Sequence, residues 1–228
     1  MWTRALLKNN AKNALRRYYW PAFLLCLVIT LVCNGGTGGM GVTVNVDAEA
    51  IRQFVHHMDL RLLLPLLASA FSVSVIGLVF EVFVGNVLTV GSAEFFLASR
   101  ESGCAAPIEA VLKGFHSDYL KVVLTLFLRH LYIFLWSLLF VIPGIVKSYE
   151  YRMMPYILAD YPEMTKEQVF AESRRLMTGH KMEAFVLDLS FLGWEILGAL
   201  CCGVGIYFVL PYIEATYAEF YTALKETV

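Results

Sequence analysis

Three stretches of this chain carry no charged side chain at all: those between Arg17 and Asp47, between Arg61 and Glu81, and between Glu195 and Glu214. Such runs constrain the fold more than any motif does. A hydrocarbon core needs roughly 20 apolar helical residues in a row, whereas a helix on the surface of a soluble protein keeps a polar face. The remaining composition agrees, with 58% hydrophobic and 16% charged residues, against roughly 45–50% and roughly 25% in soluble domains. The mean hydropathy of +0.63 is that of the whole chain, not of one buried helix. Disordered chains, coiled coils, collagen-like chains and water-soluble enzymes are excluded on these grounds, and a net charge of −1 leaves no footprint for nucleic acid. The expected fold is an all-α polytopic transmembrane helix bundle, a single integral membrane domain over residues 1–228.

The first span is predicted from Tyr18 to Cys33. Tyr18, Tyr19 and Trp20 anchor its start at the interface, Pro21 falls in its first turn, and Asn34 with the following glycines ends it. The second apolar segment, Leu62 to about Val90, is interrupted by Glu81 alone. At a rise of about 1.5 Å per residue it is about 43 Å long and must tilt or project into water. Tyr119 to Ile142 reads as a third span carrying Lys121, Arg129 and His130, broken by Pro143-Gly144, a candidate hinge. Ile145 to Leu158, with Lys147, Glu150 and Arg152, is a short fourth. Glu183 to Leu200, with Asp188 and Glu195, is a fifth, and Val204 to about Tyr221 returns as a sixth. The competing count has Ala184 to Ile213 as a single long tilted helix, with the tail outside.

Basic residues set the orientation. With the N-terminus cytoplasmic, the inner segments hold Arg4, Lys8, Lys12, Arg16, Arg17, Arg100, Lys113, Lys166, Arg174, Arg175, Lys181 and Lys225, whereas the first external loop holds Arg52 and Arg61. That is the asymmetry of the positive-inside rule, and it predicts a multi-pass protein of the cell membrane with both termini inside. Residues 1–17 form a basic amphipathic helix, because Arg4, Lys8, Lys12 and Arg16 recur every fourth residue. This suits a helix on an anionic inner leaflet, and equally a set of simple orientation charges. Residues 34–61 form an external Gly-rich loop. Within the cytoplasmic segment 160–182, Thr165-x-x-Gln168 matches a capping box. Val169, Phe170, Leu176 and Met177 give the helix that follows an apolar strip, and Gly179 stops it. Pro107 to about Phe115 is a similar, shorter piece.

The C-terminal residues carry a likeness to a known family. The run Leu135-Trp136-Ser137-Leu138-Leu139-Phe140-Val141-Ile142-Pro143-Gly144-Ile145-Val146-Lys147-Ser148-Tyr149 continues into Met154-Pro155-Tyr156-Ile157-Leu158-Ala159-Asp160. Glu172-Ser173-Arg174-Arg175-Leu176-Met177, Gly179-His180-Lys181, Leu187-Asp188-Leu189-Ser190-Phe191 and Gly193-Trp194 follow. From Tyr119 onward the chain resembles the bacterial integral membrane proteins grouped as domain of unknown function 975. The resemblance implies a membrane location and a bacterial, mostly Gram-positive, source. It brings no activity and no catalytic residues.

Chemical motifs are sparse. Gly36-Thr37-Gly38-Gly39-Met40-Gly41 has the spacing of a dinucleotide fingerprint, but a membrane span precedes it and a short alternating stretch follows, so a plain external loop is the better reading. His56-His57 lacks the spacing of a metal pair on a helix. Cys26, Cys33, Cys104, Cys201 and Cys202 lack C-x-x-C spacing, although Cys33 could meet Cys201 or Cys202 outside. Neither a catalytic set nor a metal or cofactor site is expected. The strongest signal is the set of charges inside apolar segments, Glu81, Arg129, Lys147, Glu150, Arg152, Asp188 and Glu195, since each costs about 2.5–3.5 kcal/mol at a helix centre unless paired or functional. Counting depth along the predicted spans pairs Glu81 with Arg129, Arg152 with Asp188 and Lys147 with Glu195. The expected function is that of a non-catalytic accessory or self-associating envelope component. Its expected company is membrane lipid and a second copy or another membrane protein. The alternative is a small secondary transporter using the buried carboxylates as proton or cation sites.

Overall fold

The computed structural model describes residues 3–34, 72, 75–116, 119–200 and 204–227, which form helices joined by short turns, with no strand among them. The Gly-rich loop, His56-His57, Cys201 and Cys202 lie outside the described residues.

Helix α1, Arg4–Asn34, is a long rod kinked at Tyr18 (φ −135°, ψ 28°) with Pro21 inside it. Proline lacks the N–H for the helical bond and its ring presses on the carbonyl four residues back, which locates the kink. The kink falls where the basic stretch gives way to the uncharged run. Before and just beyond it, Leu7, Ala11, Leu15, Tyr18 and Ala22 are buried at helical spacing. This stripe packs on the C-terminal helix rather than on lipid.

Helix α2 runs Val75–Ser102 and contains a π-turn at Glu81–Gly85. It continues well past Val90, the boundary expected from the apolar run. Nothing in the sequence breaks it before Gly103, which takes the left-handed conformation (φ 66°) that glycine adopts freely. Its extra turns bury Phe95, Phe96 and Ser99. At Gly91 the backbone of α3, Glu109–His116, comes so close that a Cβ would lie 2.1 Å from the Val111 carbonyl oxygen.

Helices α4, Tyr119–Leu139, and α5, Val141–Glu150, form a hairpin. The break falls at Phe140, whose backbone is extended (φ −155°, ψ 138°), and not at Pro143-Gly144. Pro143 sits in the first turn of α5, where a missing N–H costs no helical bond. Gly144 is where the two helices touch, since a Cβ there would meet Ser137 Oγ at 2.1 Å. The expected fourth span is also corrected. Helix α5 has 10 residues, about 15 Å, and the turn Tyr151–Met153 separates it from α6, Met154–Asp160, which has Pro155 in its first turn.

Helix α7, Lys166–Met177, begins with the expected capping box: the Gln168 N–H donates to Thr165 Oγ1 and the Thr165 N–H donates to Gln168 Oε1 at 2.8 Å. Val169, Leu176 and Met177 are fully buried, and Phe170 packs edge-on against Tyr132 and Tyr151. Helices α8, Lys181–Leu200, and α9, Val204–Thr227, form the second hairpin. A Cβ on Gly205 would be 2.7 Å from Gly198 Cα, and Phe191 meets Tyr212 at 5.5 Å. The chain therefore doubles back, which removes the reading of Ala184 to Ile213 as a single helix.

Apolar residues divide into two populations. Leu7, Phe95, Met153, Ile157, Val169, Phe220 and Leu224 form a closed core. Trp20, Leu24 and Val28 on α1, Ile76 and Leu78 on α2, Leu138 to Ile142 at the tip of the first hairpin, and Ile196 to Leu200 at the tip of the second are largely exposed, Ile142 by 76%. Exposure on that scale costs nothing in hydrocarbon. Three described helices are long and apolar enough to cross a membrane: Arg4–Val32, Val75–Ser102 and Tyr119–Leu139. Among the described residues these three meet that criterion of length and composition, against the six spans expected.

Two substitutions test this packing. Thr165→Ala should lower stability by about 1 kcal/mol in detergent denaturation, the usual worth of an N-cap. Gly91→Leu should cost more than that and reduce the yield of folded protein, because the obstacle is backbone and cannot move aside.

Candidate functional site

The sequence marks Glu150 and Arg152 two residues apart, and the turn at Tyr151–Met153 sends them to different partners. Glu150 is the last residue of α5, with 9% of its side chain exposed. Its carboxylate meets three cations: Lys147 Nζ at 2.7 Å, Lys181 Nζ at 2.6 Å and Arg174 Nε at 3.3 Å. Its backbone carbonyl accepts a 2.8 Å hydrogen bond from Ser173 Oγ. Burial alone would raise the Glu150 carboxyl, yet the hydrogen bonds and charges of Lys147 and Lys181 hold it below its ordinary range. One carboxylate thereby joins α5, α7 and α8.

Arg152 points the other way and grips Asp188 bidentately, Nη1–Oδ2 at 2.7 Å and Nη2–Oδ1 at 3.1 Å. The Tyr149 hydroxyl donates to Asp188 Oδ2 at 2.8 Å, and the Tyr217 hydroxyl donates to Oδ1. The guanidinium also lies over the Tyr217 ring at 4.2 Å. Planar guanidinium on carboxylate, with an aromatic face below, is the geometry in which arginine cannot be replaced by lysine.

The other expected pairs do not form. Glu81 is exposed, and its carboxylate folds back over Gly85 within the π-turn, so a Cβ on that glycine would touch it at 2.5 Å. Arg129 instead lines a cavity of about 330 Å³ with Arg152, Ser148, Tyr156, Glu214 and Tyr217. Its Nε is buried without a hydrogen-bond partner among the described residues. Lys147 turns to Glu150, three residues on along its own helix, and Glu195 stays exposed in a shallow groove beside Asp188. Matching depths had paired these residues, but depth says nothing about direction around the helix axis.

The Gly179-His180-Lys181 motif has a physical role. Gly179 takes φ 87°, a left-handed turn between α7 and α8. That turn brings Lys181 onto Glu150, while His180 Nδ1 meets Glu183 at 2.6 Å.

Sequence reasoning missed the tyrosines and the acids of α9. Tyr156 donates to Glu214 at 3.1 Å, Tyr221 donates to Asp160 at 2.9 Å, and Arg100 pairs with Glu219 at 2.9 Å. Part of their signal was available: Tyr217 and Tyr221 are four residues apart, in a segment that also carries Glu214 and Glu219.

Replacing Glu150 by Gln should destabilise the protein by about 2 kcal/mol. This is less than the roughly 3–5 kcal/mol of a fully buried pair, because its cations keep part of their surface in solvent. A carboxyl with a depressed folded pKa stabilises above its unfolded value, about 4.3, and that contribution is lost as pH falls through the lower folded value. Wild-type stability should therefore drop below about pH 4, and Glu150→Gln should lessen the drop. Melting curves in detergent across pH check both.

No curated protein matches the chain, and no solved structure does. One family model matches, and it begins within α4 rather than at Tyr119, where the family-like residues were expected to start. It takes in the α4–α5 break, Glu150, Arg152, the Gly179-His180-Lys181 turn, Asp188 and all of α9. Over residues 138–228 the chain resembles the family described as "Protein of unknown function (DUF975)".

Proposed function

We propose that this is a multi-pass membrane protein with no catalytic chemistry of its own, an accessory or self-associating component with both termini on the cytoplasmic side. The observation that carries the reading is the division of labour among side chains. Ionisable residues pair with one another, as in Glu150–Lys181, Arg152–Asp188 and Arg100–Glu219, and among the described residues large apolar side chains stand exposed on helices long enough to span. Contacts support a common side for the termini. Leu7 on α1 lies near Ala223 on α9, Arg100 at the end of α2 meets Glu219, and Lys225 reaches Asp160 at 2.6 Å. Lys121 at the start of α4 donates to the Pro162 carbonyl. Each hairpin thus leaves the same basic end and returns to it, in keeping with the positive-inside rule.

A second reading, the small transporter, has one observation in its favour: the cavity that holds Arg129 and Glu214. Buried ionisable groups around a cavity are what a translocation path requires. Arg129→Ala would abolish ion-driven uptake in proteoliposomes under that reading and leave only a stability defect under the first.

The membrane reading predicts that the protein stays in the pellet after alkaline carbonate extraction. Single cysteines at Lys166 and Lys225 should label only after the inner face is opened. Release by carbonate would sink the proposal, and labelling of position 225 from outside would sink the topology.

A further inference from the structure

The basic stripe of α1 does not simply face water. Lys8 lies over the Phe191 ring at 4.3 Å. One and two turns further along, Lys12 and Arg16 border a groove of about 530 Å³ between α1 and the α8–α9 hairpin. That volume falls within the roughly 300–1,000 Å³ of small-ligand sites. The floor and walls of the groove are Tyr19, Trp194, Phe208 and Tyr212 with Leu15 and Val209. The structure braces the wall: Tyr19 donates to the Phe208 carbonyl at 3.1 Å, and Phe23 stacks on Phe208 at 4.8 Å. No ion pair or hydrogen bond among the described residues engages Lys12 or Arg16.

The groove is thus polarised along α1. Its cations sit on the basic side of the Tyr18 kink, and its aromatic part reaches past the kink to the level where the uncharged run begins. A ligand that satisfies both ends has an anionic head and an apolar body.

We propose that this groove binds an anionic phospholipid of the inner leaflet, its phosphate between Lys12 and Arg16 and an acyl chain along Trp194 and Phe208. Charge complementarity selects this occupant over a neutral lipid or a hydrophobic helix, because either of those would leave two cations uncompensated at the rim of an apolar groove. The inference rests on the membrane reading above and adds a site and a lipid class to it.

The test uses the full chain carrying Trp2→Phe, Trp20→Phe and Trp136→Phe, which leaves Trp194 as the only tryptophan. It is reconstituted in vesicles in which phosphatidylcholine or phosphatidylglycerol carries brominated acyl chains, and Trp194 fluorescence is read against the mole fraction of brominated lipid. The brominated anionic lipid should half-quench at a clearly lower mole fraction than the brominated neutral one. Lys12→Gln and Arg16→Gln should each weaken that preference by about fivefold. Arg4→Gln, on the same stripe but away from the groove, should leave it intact, as should the conservative pair Lys12→Arg and Arg16→Lys.

Equal quenching by the two lipids would overturn the site and leave the membrane reading standing. Equal effects of Arg4→Gln and Arg16→Gln would reduce the site to general surface attraction and overturn it too. Trp194 shielded from both lipids in protein that resists carbonate would mean that another protein segment fills the groove, and shielding in protein that carbonate releases would overturn both readings.

Discussion

Glu150 and Arg152 hold this molecule together from a break in the chain. Had α5 run on unbroken through Leu158, both side chains would have lain along one helix, with Lys147 as the neighbour of Glu150 on that helix. The turn Tyr151–Met153 hands Glu150 to Lys147, Arg174 and Lys181, and Arg152 to Asp188. The first set fixes α7 and the start of α8 against α5. The second fixes the middle of α8 and, through Tyr217, the middle of α9. Remove either set and the two hairpins lose their common anchor.

With the charges gathered there, the hairpin tips are left apolar. Leu138 to Ile142, and Ile196, Leu197 and Leu200, are exposed among the described residues. Within each hairpin the approach depends on small residues, Gly144 against Ser137 and Gly198 against Gly205. Lipid offers no hydrophobic drive to bring helices together, so close backbone contact and dispersion take its place. The closed core around Phe95, Met153 and Phe220 works by burial in the ordinary way.

Legibility followed the range of the interaction. The Thr165–Gln168 box was readable because capping needs only residues three apart on one chain. The boundary at Tyr18 between the basic stretch and the apolar span was readable because the charges end at Arg17, and the structure places a kink there. Depth alone brought Arg152 and Asp188 together correctly, yet it failed for Glu81 with Arg129 and for Lys147 with Glu195. In the first failure the Glu81 carboxylate lies exposed over Gly85, and in the second a neighbour on the same helix was nearer. The extent of α2 was misjudged because an apolar run marks what lipid tolerates, whereas a helix ends at a residue such as Gly103.

The sequence by itself determined the environment and the local punctuation: apolar helices, a basic side, a capped helix and a glycine turn at position 179. These depend on solvation and on backbone groups a few residues apart. Only the tertiary structure decided that the chain folds back at Phe140, that Glu150 gathers three cations, that Arg129 lines a cavity, and that Lys12 and Arg16 border an aromatic groove. Those outcomes depend on the direction each side chain takes around its helix and on which helix packs beside it, and neither is carried by spacing along the chain.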